Sequence, residues 1–477
     1  MSSRAIRTLR LLQPAVEWGD PHIWSDTTDL LNLRSAVYEC LVRHDSTGGF
    51  LPALAASWRV EDDARTWTFN LRADVVYHDG TRLQAGDIVA TLERVCDPDL
   101  DGEFGTQGLY HAYLYGTAAD ALDSHTVRLV TAEPMADLLD LLVNLPIVPE
   151  HALGDIALNP VGSGPYRLAD SGDGCVEMRS FARYWAGAPP LDRVFWRAQP
   201  NGRQRVAALL KDEADIITGV GLEEKRMIDG AEPATVWVQD STMCVVLMCN
   251  AGRGDCAARR VRQALNYALD VPAIVSSVKG GAAHPLNGPL TPQHFGYDPS
   301  IEPYPFDPIK ARALLAEAGQ ADGLELTVDI PTTLPDEAPL LAQHVAEQYA
   351  GIGLKTTIKA FADRPAYAEM VRAKQIDDAC CFDSSPHSTF RSLREKFHSG
   401  IAGPWWQGYH SREVNALLEQ AWATVDDAQR QGLYRRACRI IRDDAAWIYL
   451  YSPTYFWGVG PRAKDLGVGI DGLVRLV

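Results

Sequence analysis

No apolar run in the chain approaches the roughly 18 residues that a membrane-spanning helix needs. The longest clean one is Cys244-Val245-Val246-Leu247-Met248-Cys249. Basic residues are also in deficit: Lys+Arg 45 stand against Asp+Glu 62, a formal net charge of −17. No Lys/Arg run exceeds a pair, so neither a nucleic-acid groove nor an anionic membrane surface is a natural partner. There is no C-x-x-C, which argues against a structural zinc site. The nine cysteines are odd in number and unpatterned, and Cys380 and Cys381 are adjacent. That is the distribution of reduced, buried thiols rather than of a disulfide framework. Walker A, H-E-x-x-H and EF-hand patterns are missing. Gly467, Gly469 and Gly472 match G-x-G-x-x-G, but they lie too close to the C-terminus for a phosphate-binding helix to follow. Gly162-Ser163-Gly164 lacks the spacing of a nucleophile elbow. The first residues, Met1 to Leu12, carry arginines without an apolar core or a small-residue cleavage site. The expectation is a cytoplasmic protein as the sequence stands, or a periplasmic or cell-surface one if a leader has been removed.

What is present is an ordinary globular composition, 46% hydrophobic and 22% charged over 477 residues, enough for two to four domains. Trp67, Phe69 and Leu71 alternate with Thr66, Thr68 and Asn70, which predicts a half-buried strand over 65–71. Asp79-Gly80 reads as a turn. Asp87 is expected to open a helix with Ile88, Val89, Leu92 and Val95 on its apolar side. Val261, Ala264, Leu265 and Ala268 form a helical stripe. Asp270 and Asp307 each precede a helix with proline in its first turn, the second ending at Gly319. Leu354, Thr356, Ile358 and Ala360 predict a strand, and helices follow near 411–423 and 427–442. Such alternation predicts a mixed α/β protein with more than one sheet.

A set of motifs runs along the chain in order. Leu51-Pro52-Ala53-Leu54-Ala55-Ala56-Ser57-Trp58 is followed by Thr66-Trp67-Thr68-Phe69-Asn70-Leu71-Arg72, then Val76-Tyr77-His78-Asp79-Gly80-Thr81 and Ala85-Gly86-Asp87-Ile88-Val89. Pro160-Val161-Gly162-Ser163-Gly164-Pro165-Tyr166, Tyr184-Trp185-Ala186-Gly187 with Leu191-Asp192, and Val261 through Asp270 come next. Ala311 through Gly319, Gly408-Tyr409 and Leu417-Leu418 complete it. Together they resemble the family-five extracellular solute-binding proteins of ABC transporters, which include dipeptide, oligopeptide, nickel and opine binders.

The resemblance implies a two-lobed α/β fold of the periplasmic-binding-protein type, type II, in the large class with an extra subdomain. Lobe one would be 1–237, with the inserted subdomain at about 46–155. Lobe two would be 238–450, and a tail, 451–477, would return to lobe one. The ligand would lie in an interlobe cleft that closes by a hinge, and Gly162 and Gly164 would allow a tight crossing between domains. Trp58, Trp67 and Phe69 read as core.

Peptide binders of this family place an aspartate in a segment like G-W-x-x-D-x-x-D-P to pair the ligand's ammonium. Here the segment is Cys380-Cys381-Phe382-Asp383-Ser384-Ser385-Pro386-His387-Ser388. Asp383 matches the first acid and Ser385 replaces the second. The resemblance thus implies ligand contacts from Asp26, Tyr110, Asn250, Asp383, Ser384, Ser385, His387, Trp405 and Trp406. The expected function is capture of a small polar, peptide-like or opine-like solute for an ABC importer. Its partners would be that ligand and ABC permease subunits, with no nucleic acid. The protein would be a monomer without cofactor or metal. The alternative is a signal-less homologue that hydrolyses a small amide, ester or hydrazide-like substrate with Cys381, Asp383, Ser385 and His387. Strand alternation puts Cys381 and Asp383 on one face and Cys380 and Phe382 on the other.

Overall fold

The structure, a computed structural model, describes residues 7–23, 27–45, 48–100, 106–333, 335–384 and 387–477, with 106–109 described in backbone only. The chain divides into two compact units. The first comprises Met1–Gln239 and Tyr455–Val477, the second Asp240–Thr454. Among the described residues no helix is long and apolar enough to cross a membrane.

In the first unit the strand Thr8–Gln13 pairs in parallel with Arg193–Ala198 and with Ile216–Ile217. Arg193–Ala198 continues antiparallel to Cys175–Ser180, which pairs with Tyr166–Gly172. Period-two alternation sends Leu9, Leu11, Val194, Trp196, Val176 and Met178 into one core. The segment Pro160–Tyr166 needs its glycines for close approach rather than for a crossing between domains. A Cβ on Gly162 would lie 1.9 Å from the carbonyl oxygen of Val37, and one on Gly164 would lie 2.7 Å from that of Ala36. Both contacts fall inside the first unit.

A separate four-stranded antiparallel sheet lies in the same unit, in the order Ala55–Val60, Thr66–Leu71, Thr126–Val130, Ala118–Asp123. Trp67 and Phe69 are buried as their alternation predicts, whereas Trp58 is only half-buried. The helix after it begins at Ala85, two residues before the predicted start. Asp87 is its third residue, not its cap: Gln84 N–H donates to the Asp87 carboxylate at 2.9 Å. Gln84 and Asp87 satisfy each other's orphan amides as a capping box.

The second unit is a layered α/β/α structure. Its sheet runs Leu354–Phe361, Leu324–Pro331, Ala379–Ser384, Cys244–Cys249, then the first part of Trp447–Val459, with Ala283–Pro285 on the last. The first three strands are parallel; Cys244–Cys249 is antiparallel to both neighbours. That strand is buried on both faces, which is why it reads as an unbroken apolar run. Val245, Leu247 and Cys249 face helices that bring Leu265, Ile274, Leu315 and Val345. Cys244, Val246 and Met248 face helices that bring Val371, Leu393, Tyr434 and Ile441. The Asp270 and Asp307 carboxylates accept from Ala273 and Lys310 amides at 3.0 and 2.9 Å, so both predicted caps form. Gly319 follows the helix end with φ +83°.

Candidate functional site

The strand Ala379–Ser384 carries the segment singled out in the sequence. Its register against Cys244–Cys249 sets Val245 opposite Asp383 and Cys244 opposite Ser384. Alternation holds along it: Ala379 and Cys381 enter one core of the second unit, Cys380 and Phe382 the other. Asp383 therefore lies on the Cys381 face, near the strand's end. Its side chain is 14% exposed and pairs with Arg364 Nη2 at 3.4 Å. Arg364 opens the helix Arg364–Arg372, which Asp363 caps through the Ala366 amide. Burial pushes the Asp383 carboxyl up to about 6, and the Arg364 charge opposes that rise.

Of the other predicted contacts, Asp26 and Ser385 lie outside the described residues. Ser384 is buried at the strand end, and His387 follows two residues before the helix Thr389–Phe397. Within the second unit Asn250, Trp405 and Trp406 do not converge on Asp383. Asn250 follows Cys249, which pairs with Ala379. At about 3.3 Å per residue it stands ~15 Å from Asp383 along the strands. Its amide donates to the carbonyls of Ile376 and Asp377 at 3.2 and 3.1 Å and fixes the turn there. Trp405 packs at a tilt against Phe382, ring centroids 4.8 Å apart, on the face opposite Asp383, under the Arg372 guanidinium. Trp406 donates its indole N–H to Tyr409 O at 2.6 Å and closes a local turn. Tyr110 belongs to the first unit, where its ring is buried and its hydroxyl donates to Asn144 O at 2.6 Å. Cys381 is 1% exposed in the core. Burial drives its thiol far above the ordinary range, the reverse of what a thiolate nucleophile requires.

Sequence reading missed the charges around Asp383. Arg364 had a local signal, the Asp363-Arg364-Pro365 helix start. Glu337 is bound by Lys279 Nζ at 3.1 Å and accepts from Tyr451 OH at 3.0 Å. Lys396 had no such signal: it lies beside Leu393 and Phe397 on its helix and is only 2% exposed. Its ammonium nitrogen is buried without a hydrogen-bond partner.

The first unit holds a cavity of about 210 Å³ lined by Arg34, Glu39, Arg43, Trp185, Asp471 and Arg475 among others. Trp185 Nε1 donates to both oxygens of Glu39, at 3.0 and 2.9 Å, and Tyr184 OH donates at 3.0 Å. Burial nevertheless pushes the Glu39 carboxyl up to about 7. Among the described residues no three His, Cys, Asp or Glu converge as metal ligands. All nine cysteines are unpaired, and six of them are buried.

Comparison with known proteins follows the same order of elements. Residues 49–384 match the family described as bacterial extracellular solute-binding proteins, family 5 middle. The glutathione-binding protein GsiB of Shigella boydii is 29% identical over 447 residues, covering 90% of this chain and 86% of that protein. The structure of HbpA2 from Haemophilus parasuis superposes with a TM-score of 0.88 at 22% identity over 98% of both chains. The periplasmic binding protein DppA from Helicobacter pylori, solved with the peptide STSA, gives 0.80 at 24% identity over 98% of this chain and 96% of that one. Two units with the motifs of Leu51 to Leu418 in place, and a family match across most of the chain, lead to one assignment: the chain belongs to the family-5 bacterial extracellular solute-binding proteins, the solute-capturing components of ABC importers.

Proposed function

We propose that the protein captures a small polar solute, peptide-like or opine-like, and delivers it unchanged to ABC permease subunits outside the membrane, acting as a monomer. The family match carries the class of function. Asp383 carries the reading of the site. A carboxylate 14% exposed at the end of a buried strand, paired with one arginine at 3.4 Å, is a strong and orientable polar group because little water competes for it. The relatives that bind glutathione and the peptide STSA make α-amino carboxylates the first compounds to try. The withdrawn Cys381 thiol weighs against hydrolysis through a cysteine.

The test is titration calorimetry of the intact chain with glutathione, di- to tetrapeptides and opines, with mass spectrometry of the mixtures. One probe is expected to bind at a ratio of one and to be recovered intact. Asp383→Asn is expected to weaken it by about 1–3 kcal/mol, the usual cost of disturbing a buried charged hydrogen-bond partner. Product beyond one equivalent would replace capture with catalysis. Unchanged affinity in a folded Asp383→Asn variant would remove Asp383 from the site.

A further inference from the structure

The helix Thr389–Phe397 buries Phe390, Leu393 and Phe397 against one core of the second unit. Lys396 shares that face. A lysine usually reaches water by extending its stem, but this one is 2% exposed and its Nζ is buried with no partner. The charges that act on it are Glu395 and Arg391 on its own helix and, more weakly, Asp383 from the other face of the sheet; the Cys244 thiol lies on the same face as Lys396. Each acid has a cation already: Glu395 lies 3.5 Å from Arg391, and Asp383 lies 3.4 Å from Arg364. Both acids thus have a cation of their own, and the Lys396 ammonium has no hydrogen-bond partner. A buried charge is normally paired, because desolvation otherwise removes its stabilisation by water. A leucine or methionine would fill the same volume at no such cost.

We infer that Lys396 is an anion-recognition residue of the second unit, and that the captured solute presents a carboxylate or a similar anionic group to it. The inference rests on the solute-binding reading and names the charge of the solute that reading leaves open. Asp383 is already paired with Arg364 at 3.4 Å, and the Lys396 charge, which has no hydrogen-bond partner, selects an anion. Burial lowers the Lys396 ammonium to about 8, against the opposing pull of Glu395. An anion beside it restores the charged form.

The experiment compares acids with their neutral amides: acetate with acetamide, succinate with succinamide, glutathione with its diamide. Thermal unfolding and calorimetry are followed for the wild type, Lys396→Met and Lys396→Gln. Both variants lose an unpaired buried charge and are expected to fold at least as stably at pH 7. Wild type is expected to bind at least one acid tenfold or more above its amide, and both variants to lose that preference. At pH 8.5 wild type is expected to take up a fraction of a proton on binding, read from calorimetry in buffers of different ionisation enthalpy, and the variants none. At that pH Asp383, pushed up to about 6 by burial, is ionised, and the Cys244 thiol, pushed up to about 12 by burial, is protonated. Equal binding of acids and amides overturns the anion assignment and leaves solute capture standing. An acid preference that survives in both variants belongs to another cation and also overturns it. If no probe of either kind binds, both readings fall together.

Discussion

Half-buried Glu39, its carboxyl enclosed by Trp185 and Tyr184, and buried Lys396 are ionisable residues with opposite consequences for stability. The Glu39 carboxyl sits at about 7 in the fold, raised from 4.5. A raised carboxyl binds its proton more tightly when folded. Its contribution to stability is therefore whole below about pH 4.5 and is lost as pH rises through 7. The expected cost across that window is on the order of 1–3 kcal/mol. Glu39→Gln keeps an oxygen for Trp185 and Tyr184 and removes the titration. Denaturant unfolding between pH 4.5 and 8 is expected to show wild type losing stability relative to Glu39→Gln as pH rises. Parallel pH profiles for the two proteins would mean that the carboxyl titrates normally. Lys396 runs the other way: its lowered ammonium penalises the fold below about pH 8 and relaxes as pH climbs toward 10.5.

Elements in this protein are set partly by local signals and partly by partners far along the chain. The segment Pro160–Tyr166 belongs to the second kind. Gly162→Ala would put a methyl group 1.9 Å from Val37 O, and backbone, not a mobile side chain, is what stands in the way. The expected loss is about 3 kcal/mol, the upper end of ordinary overpacking. Gly172→Ala, in the strand Tyr166–Gly172 with no atom within 4 Å of the added carbon, is expected to change stability by less than about 0.5 kcal/mol. Equal midpoints for the two variants in denaturant would refute the close-approach account. The same division explains what could be read from the residues alone. Asp270 and Asp307 were legible as caps because a cap and its amide are three residues apart. Strand Thr66–Leu71 was legible because alternation is local. Asp87 was misplaced by two residues because a capping box shares the work between two side chains, and only the acid drew notice. Asn250 and Asp383 were grouped together although antiparallel register sends them to opposite ends of paired strands, and register is not written in either segment. Lys396 escaped because a charged residue on a helix reads as solvent-facing until its neighbours are known.

At the scale of the whole chain, the two units differ in how they are cut from it. The second unit, Asp240–Thr454, is continuous and owns both cores that flank its sheet. The first is discontinuous: its core draws Trp457, Val459, Ala463, Val474 and Leu476 from the returning segment Tyr455–Val477. A domain folds alone when its own residues close its core. Residues 240–454 expressed by themselves are therefore expected to give a mixed α/β circular-dichroism spectrum and a single cooperative transition in urea. Ala283–Pro285 already pairs with the strand that the cut at Thr454 shortens, so that edge is partly covered. Residues 1–239 by themselves lack five buried core side chains, among them a tryptophan. Losses of this kind cost about 2–5 kcal/mol for each large residue, which together exceed the stability of most domains. That fragment is expected to show no cooperative transition, and adding 455–477 through a short glycine-serine linker after residue 239 is expected to restore one. A cooperative transition in 1–239 without the tail, or an unfolded 240–454, would show that the cores are not partitioned between the units as the packing divides them.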